Sequence, residues 1–515
     1  MKHSIWIAGL LLLMVIGCRE ESDSVLSYAY RDKLAFQKAD SSFAGKFDVF
    51  WNGMNTNYAM WDFEKENGLD WDEVYVNYYP RFAALDAVDT LVSDKQLSAL
   101  LNEVVEPLHD GHLYIQMKNH VTGNSVIGYP GLLRLLRERE KEFYTIPDMF
   151  NSLPYYISSG EVLETKQALT DTFVSDILSC DSYVKAVVNT LSHKTDRTPE
   201  EENMLTHYSR LNAELTEIVI ELLVGNTKGT IEKYNEIALR YEYLQIPLLV
   251  PVDKNLNKYA INISYALFKG NIAYLSFSHF SLSAYLNPTY RSKIFETPSA
   301  HTQELIDGVV STWQAWFDAI QAHHKAGDLG GVIIDLRSNG GGFMEDFEYV
   351  LGALIPSGSY HVMDVRFKRG PGRYDYSPVM PQFFQTMNAE HVTVTEPIVA
   401  LCNCRSVSMS EHTSLGVKNL DNGFLIGTRT WGGCSALTDS ERYSDNYSGY
   451  VGIMDETPVF CYIPQELAFT LDGRVLEGYG ITPNIEIDFD VEAWKYGNGP
   501  DSQLDRALQY IRNGH

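Results

Sequence analysis

At 515 residues the chain exceeds what one hydrophobic core organises, so two or three domains are expected. An apolar share of 45% with 21% charged residues excludes a disordered chain. With 41 basic against 67 acidic residues, a net −26, binding of nucleic acid through a basic surface is excluded as well.

In chain order, Lys2, His3 and Ser4 precede an apolar run from Ile5 to Ile16. The run is too short to span a bilayer as a mature helix and has the form of an export signal. It closes in Val15-Ile16-Gly17-Cys18, which is similar to the bacterial lipobox. Residues 1–17 therefore read as a lipoprotein signal peptide, Cys18 as the lipidated start of the mature chain, and 18–42 as a polar tether. The expected location is the cell envelope, periplasmic or on the outer-membrane surface, with membrane attachment through Cys18. The other five cysteines have irregular spacing, which is no disulfide framework.

Residues 43–119 form an aromatic, helical N-terminal segment, with helices over Asp72 to Phe82 and Ser93 to Leu108 and Asp70 as an N-cap. Their Trp and Tyr residues read as core. The segment ends in His109-Asp110-Gly111-His112 and the alternating strand Leu113 to Met117. The Asp-Gly turn sets His112 at the lip of that strand. Residues 120–257 carry helical periodicity over Pro130 to Phe143, Gly160 to Leu178, Thr198 to Leu223 and Thr230 to Tyr243, a mainly helical insert.

From 258 to 495 strands and helices alternate. A hairpin runs from Tyr259 to Phe277, then a helix from Gln303 to His324. The apolar strand Gly331 to Leu336 leads into Arg337-Ser338-Asn339-Gly340-Gly341-Gly342, followed by a helix from Phe343 to Ile355. Residues 496–515 hold a C-terminal amphipathic helix.

The strand Ile398 to Leu401 runs into a polar cluster and then a helix beginning near Ser408. A serine at such a turn lies where free backbone N–H groups and the helix dipole favour negative charge, which suits a nucleophile. Ser408-Met409-Ser410-Glu411 also fits the S-x-x-E capping box, which needs no chemistry. The three glycines after the buried strand free backbone N–H groups to face a ligand, and no nucleotide-binding glycine pattern is present. His112 is the candidate base, although His109, Asp110 and His112 could instead begin a metal site. Glu477, in a glycine-rich turn, could orient an imidazole.

Taken together, Asp335 to Gly342, Ser406-Val407-Ser408-Met409-Ser410-Glu411, Gly427-Thr428-Arg429-Thr430-Trp431-Gly432 and Glu477 to Pro483 occur in order. This set resembles the carboxy-terminal processing (tail-specific) and tricorn-core serine peptidase family. The resemblance implies an α/β, crotonase-like (ββα superhelix) peptidase core over 258–495 and an acyl-enzyme on Ser408. It also implies an oxyanion hole from the Met409 and Gly341 amides, and no metal or organic cofactor. The tail-specific branch has a base lysine where this chain has Gly433, so the roles of base and orienting carboxylate fall on His112 and Glu477, as in the tricorn-like branch. That branch has a serine just before the histidine, where this chain has Gly111. The implied function is a serine endopeptidase or C-terminal processing peptidase acting on peptides or unfolded segments. The alternative is an inactive lipoprotein of the same fold that binds peptide or another ligand.

Overall fold

The computed structural model describes residues 41–88, 91–147, 150–169, 173–223, 227–246, 249, 254–370, 372–388, 391–435, 450–452, 454 and 456–513. The expected signal peptide, Cys18 and nearly all of the expected tether lie outside them. Among the described residues no helix is long and apolar enough to cross a membrane. The strands are β1 (Tyr114–Lys118), β2 (Ser125–Gly128), β3 (Val162–Leu169), β4 (Asn262–Phe268), β5 (Ile272–Phe277), β6 (Gly331–Asp335) and β7 (Ser359–Phe367). They continue with β8 (Met380–Gln385), β9 (Ile398–Cys402), β10 (Gly423–Gly427), β11 (Tyr450–Val451), β12 (Val459–Tyr462), β13 (Glu466–Phe469) and β14 (Ile485–Glu486).

The fold is mixed α/β, and two compact units divide it: residues up to 159 together with those from 330 onward, and residues 160–329. Expected boundaries at 120 and 258 differ from these. Residues 130–159 fold with the first unit, and the hairpin and long helix of the expected core fold with the helical insert.

In the first unit, β6, β9, β10 and β14 pair in parallel, in the order β14-β10-β9-β6. Every residue of β6 and β9 is buried, as their unbroken apolar sequences require. Each of these two strands ends at a loop that carries site residues. Immediately after β6, Arg337 is fully enclosed between Asp335 and Asp501, with guanidinium–carboxylate contacts of 2.6 and 2.8 Å, and lies 3.9 Å from the Phe150 ring centre. The Asp501 carboxyl is held below the usual range, although burial opposes it, by that guanidinium.

A second sheet of this unit, β11-β12-β1-β2, is antiparallel, and register pairs such as Tyr114↔Tyr462 tie the histidine-bearing strand to a strand near the end of the chain. Against it lies the aromatic N-terminal core of Phe43, Phe47, Phe50, Trp61, Trp71 and Phe82, all buried, which settles these residues as packing. Asp70 caps its helix, accepting from the Asp72 and Glu73 amides at 2.9 and 3.3 Å.

The 160–329 unit contains the antiparallel strands β3, β4 and β5, the helix Ala300–Ala326, and the helices Phe173–Ser192, Pro199–Leu223 and Thr227–Arg240. The last three close around Ile177, Val184, Leu211, Leu215, Tyr234 and Ile237. Two sequence expectations are corrected. The helix read over Gly160 to Leu178 is β3 followed by a helix from Phe173. Apolar Val162, Leu163, Ala168 and Leu169 sit at helix-like spacing, but main-chain pairing to β4 decides the outcome. The helix read from Phe343 to Ile355 is a short 3-10 turn, Met344–Tyr349, and then irregular chain.

Candidate active site

Ser408 directly precedes the helix Met409–Lys418 and is held at φ 58, ψ −118, a left-handed conformation that a residue with a side chain adopts only under constraint. The constraint is visible. Ser408 N–H donates to Gly433 O at 3.0 Å and to Glu411 Oε2 at 3.2 Å. A turn that thrusts a serine forward in this way is the geometry of a nucleophile elbow. The capping box is formed as well, with Glu411 reaching back to the Ser408 amide. Met409 is the first residue of the helix, so its N–H has no acceptor within the helix.

The glycine loop meets this turn directly. A Cβ on Gly341 would stand 2.6 Å from Ser408 Cβ and 2.9 Å from Met409 N, so only glycine fits there. Gly341 N–H, however, donates to Asn339 Oδ1 at 2.9 Å. Asn339, fully buried, also accepts from Ser410 Oγ and from Val407 N, knitting the glycine loop to the Ser408 turn.

His112 reaches the same place from the bend just before β1. A Cβ on Gly433 would lie 3.3 Å from both Cε1 and Nδ1 of His112, while Gly433 O binds the Ser408 amide. Gly433 thus lies against both the Ser408 turn and the imidazole. Part of His112 reaches the surface, but Nδ1 is closed to solvent and without a partner. Burial lowers its pKa to about 4, which leaves the ring neutral at pH 7. Asp110 holds the turn, its Oδ1 accepting from the His112 and Leu113 amides at 2.8 and 2.7 Å.

Glu477 is fully buried, and its carboxylate does not grip the imidazole. Its oxygens accept from Gly111 N at 2.6 Å, Cys434 N at 2.8 Å and Ser435 N at 2.6 Å. It therefore staples the backbone just before His112 to the loop after Gly433. Burial raises its pKa, and burial plus the charge of Glu477 raises that of Asp110 well above normal. Gly111 admits no side chain, because a Cβ would stand 2.3 Å from Gly432 O. A hydroxyl before the histidine is thus sterically barred.

Sequence reasoning passed over Glu411 as more than a cap. Its buried carboxylate accepts from Thr430 Oγ1, Gly432 N and Gly433 N at 2.6, 2.8 and 2.8 Å besides Ser408 N. Burial pushes its pKa up to about 7 against these donors. His109 turns away from His112 and binds Glu64, Nδ1 to Oε2 at 2.8 Å. Among the described residues no His, Cys, Asp and Glu cluster could hold a metal ion.

Residues 271–487 match Peptidase family S41. The Tricorn protease of Thermoplasma acidophilum is 28% identical over 187 residues, 36% of this chain and 14% of that one. The Tricorn-like protease C-terminal subunit of Sulfurisphaera tokodaii is 30% identical over 179 residues, 35% of this chain and 17% of that one. The chain therefore spans a small part of the length of these relatives. A peptidase from Parabacteroides merdae superposes with a TM-score of 0.49 at 14% identity, over 91% of this chain and 96% of that one. His112 lies outside the matched segment; Ser408, Gly341 and Glu477 lie inside it. The sequence similarities of this chain thus run to Peptidase family S41 over residues 271–487 and to tricorn proteases over about a third of its length.

Proposed function

We propose that this protein is a serine peptidase of the histidine-using, tricorn-like kind with a crotonase-like core, hydrolysing peptides or unfolded segments through an acyl-enzyme on Ser408. The observation that carries the reading is the strained Ser408 turn pressed against Gly341, with His112 against Gly433. Neutral His112 takes the Ser408 hydroxyl proton as Oγ attacks the carbonyl, and returns it to the leaving amine. The Met409 amide, and the Gly341 amide once released from Asn339, receive the oxyanion. Glu477 acts on the backbone that carries the base. A side chain at 433 would stand in tight contact with Trp431 and His112, so the place a lysine base would take is next to the imidazole. The test is labelling by a fluorophosphonate, which requires an activated serine: wild type should react and Ser408→Ala should not. Equal labelling of both sinks the assignment.

A second reading, an inactive peptide-binding protein of this fold, is favoured by two facts. Gly341 N–H is engaged by Asn339, and His112 Nδ1 has no orienting partner. Absence of labelling and turnover with peptide binding retained would select it. Lipid attachment at Cys18, to an envelope membrane, is proposed from the sequence motif alone. A Cys18→Ala protein that is still processed at the same bond and still partitions with membranes would rule it out.

A further inference from the structure

Strand β3 is the outer strand of its unit's sheet. It pairs antiparallel with β4, from Glu164↔Leu267 to Leu169↔Asn262, and among the described residues nothing pairs with its other side. Residues 163–167 and Leu169 are exposed, Leu163 at 57% and Leu169 at 47%. Such an edge offers a row of unsatisfied N–H and C=O groups, a template for another strand. Two features keep arbitrary strands away: a register shift between Val162 and Glu164, and the charge of Lys166 at mid-strand. A partner strand that brings an acid to the position facing Lys166 offsets that charge.

The chain's own β3 does so. We propose that β3 of one copy pairs antiparallel with β3 of a second copy about a two-fold axis through Thr165, giving a reversible homodimer. In that register Thr165 faces its counterpart. Glu164 of each copy faces Lys166 of the other, so two opposite-charge pairs form across the axis. Centring the axis on Lys166 instead sets lysine against lysine. Moving the pairing by one residue turns the facing side chains out of the common pleat. The net charge of −26 per copy repels at long range, so association needs this local complementarity and is best observed near ~0.15 M salt, where distant charges are screened. This inference is independent of the peptidase reading.

Light scattering and sedimentation of the full chain over a concentration series test the pairing. The wild type should shift towards twice the monomer mass as concentration rises. Lys166→Glu, which sets like charges opposite each other twice, should weaken dimerisation roughly tenfold, and the swap Glu164→Lys/Lys166→Glu should restore it. Both positions are exposed, so the variants fold. Thr165→Cys should form an interchain disulfide under mild oxidation, and Lys166→Cys should not. A wild type that stays monomeric at every concentration overturns the proposal, as does a dimer indifferent to Lys166→Glu. Cross-linking through Lys166→Cys alone overturns the axis.

Discussion

Replacing Glu477 by glutamine separates two roles that the same carboxylate could have. The side chain is fully buried, with one oxygen on Gly111 N and the other on Cys434 N and Ser435 N. The amide keeps the shape but has one acceptor, which stays on the two-donor side, and its NH2 then faces the Gly111 N–H. One hydrogen bond to a charged acceptor is lost, about 1.5–3 kcal/mol, and two donors confront each other. Equilibrium urea unfolding should report that loss. The freed Gly111 lets the His112 turn drift, and a misplacement near 1 Å lowers the rate roughly a hundredfold. Because Glu477 grips the backbone and not the ring, the acidic limb of kcat/KM should keep its midpoint while its height falls. A variant with stability within ~0.5 kcal/mol of wild type and a displaced acidic limb would refute this reasoning and return Glu477 to the imidazole.

As the proposed base His112 would act only when neutral, and its pKa is lowered to about 4, so activity should be lost as pH falls through about 4, not near 6.5. A limb at 6.5 in kcat/KM would contradict the burial of the ring. His112→Ala should lose nearly as much rate as Ser408→Ala, and the double variant little more, which single-turnover assays can measure. His412, buried with Nε2 2.6 Å from Cys434 O, is also lowered to about 4. Its folded pKa is depressed, so its contribution is present above 6.5 and lost between there and 4, about 3 kcal/mol by linkage. Denaturant titrations at pH 7 and pH 4.5 should show His412→Asn losing less stability on acidification than wild type. Arg337→Met strands two buried carboxylates, Asp335 and Asp501, and should cost about 3–5 kcal/mol in the same titrations.

The parallel strands were legible because nothing interrupts their apolar runs, as in Ile398 to Leu401. Ser408 and the glycine loop were legible because local chain stiffness and glycine spacing are sequence properties. What Glu477 binds was not: its partners lie 366, 43 and 42 positions away, and nothing local distinguishes a carboxylate that holds three amides from one that orients a ring. Glu411 was read as a cap for the same reason, since its bond to Ser408 is local while Thr430, Gly432 and Gly433 arrive through the fold. β3 defeated periodicity because an edge strand exposed on both faces carries no alternation to read.

The joining of Gly111 to Glu477 across 366 positions also bears on biosynthesis. A ribosome delivers the His112 turn early and its clamp late, and Asp501, which encloses Arg337, later still. A nascent chain stopped after Ser408 would have the proposed nucleophile without the clamp on the His112 turn, and a buried-type arginine without its second carboxylate. If the proposed activity holds, it would then appear as one late event, after the segment that carries Glu477 and Asp501 has been made.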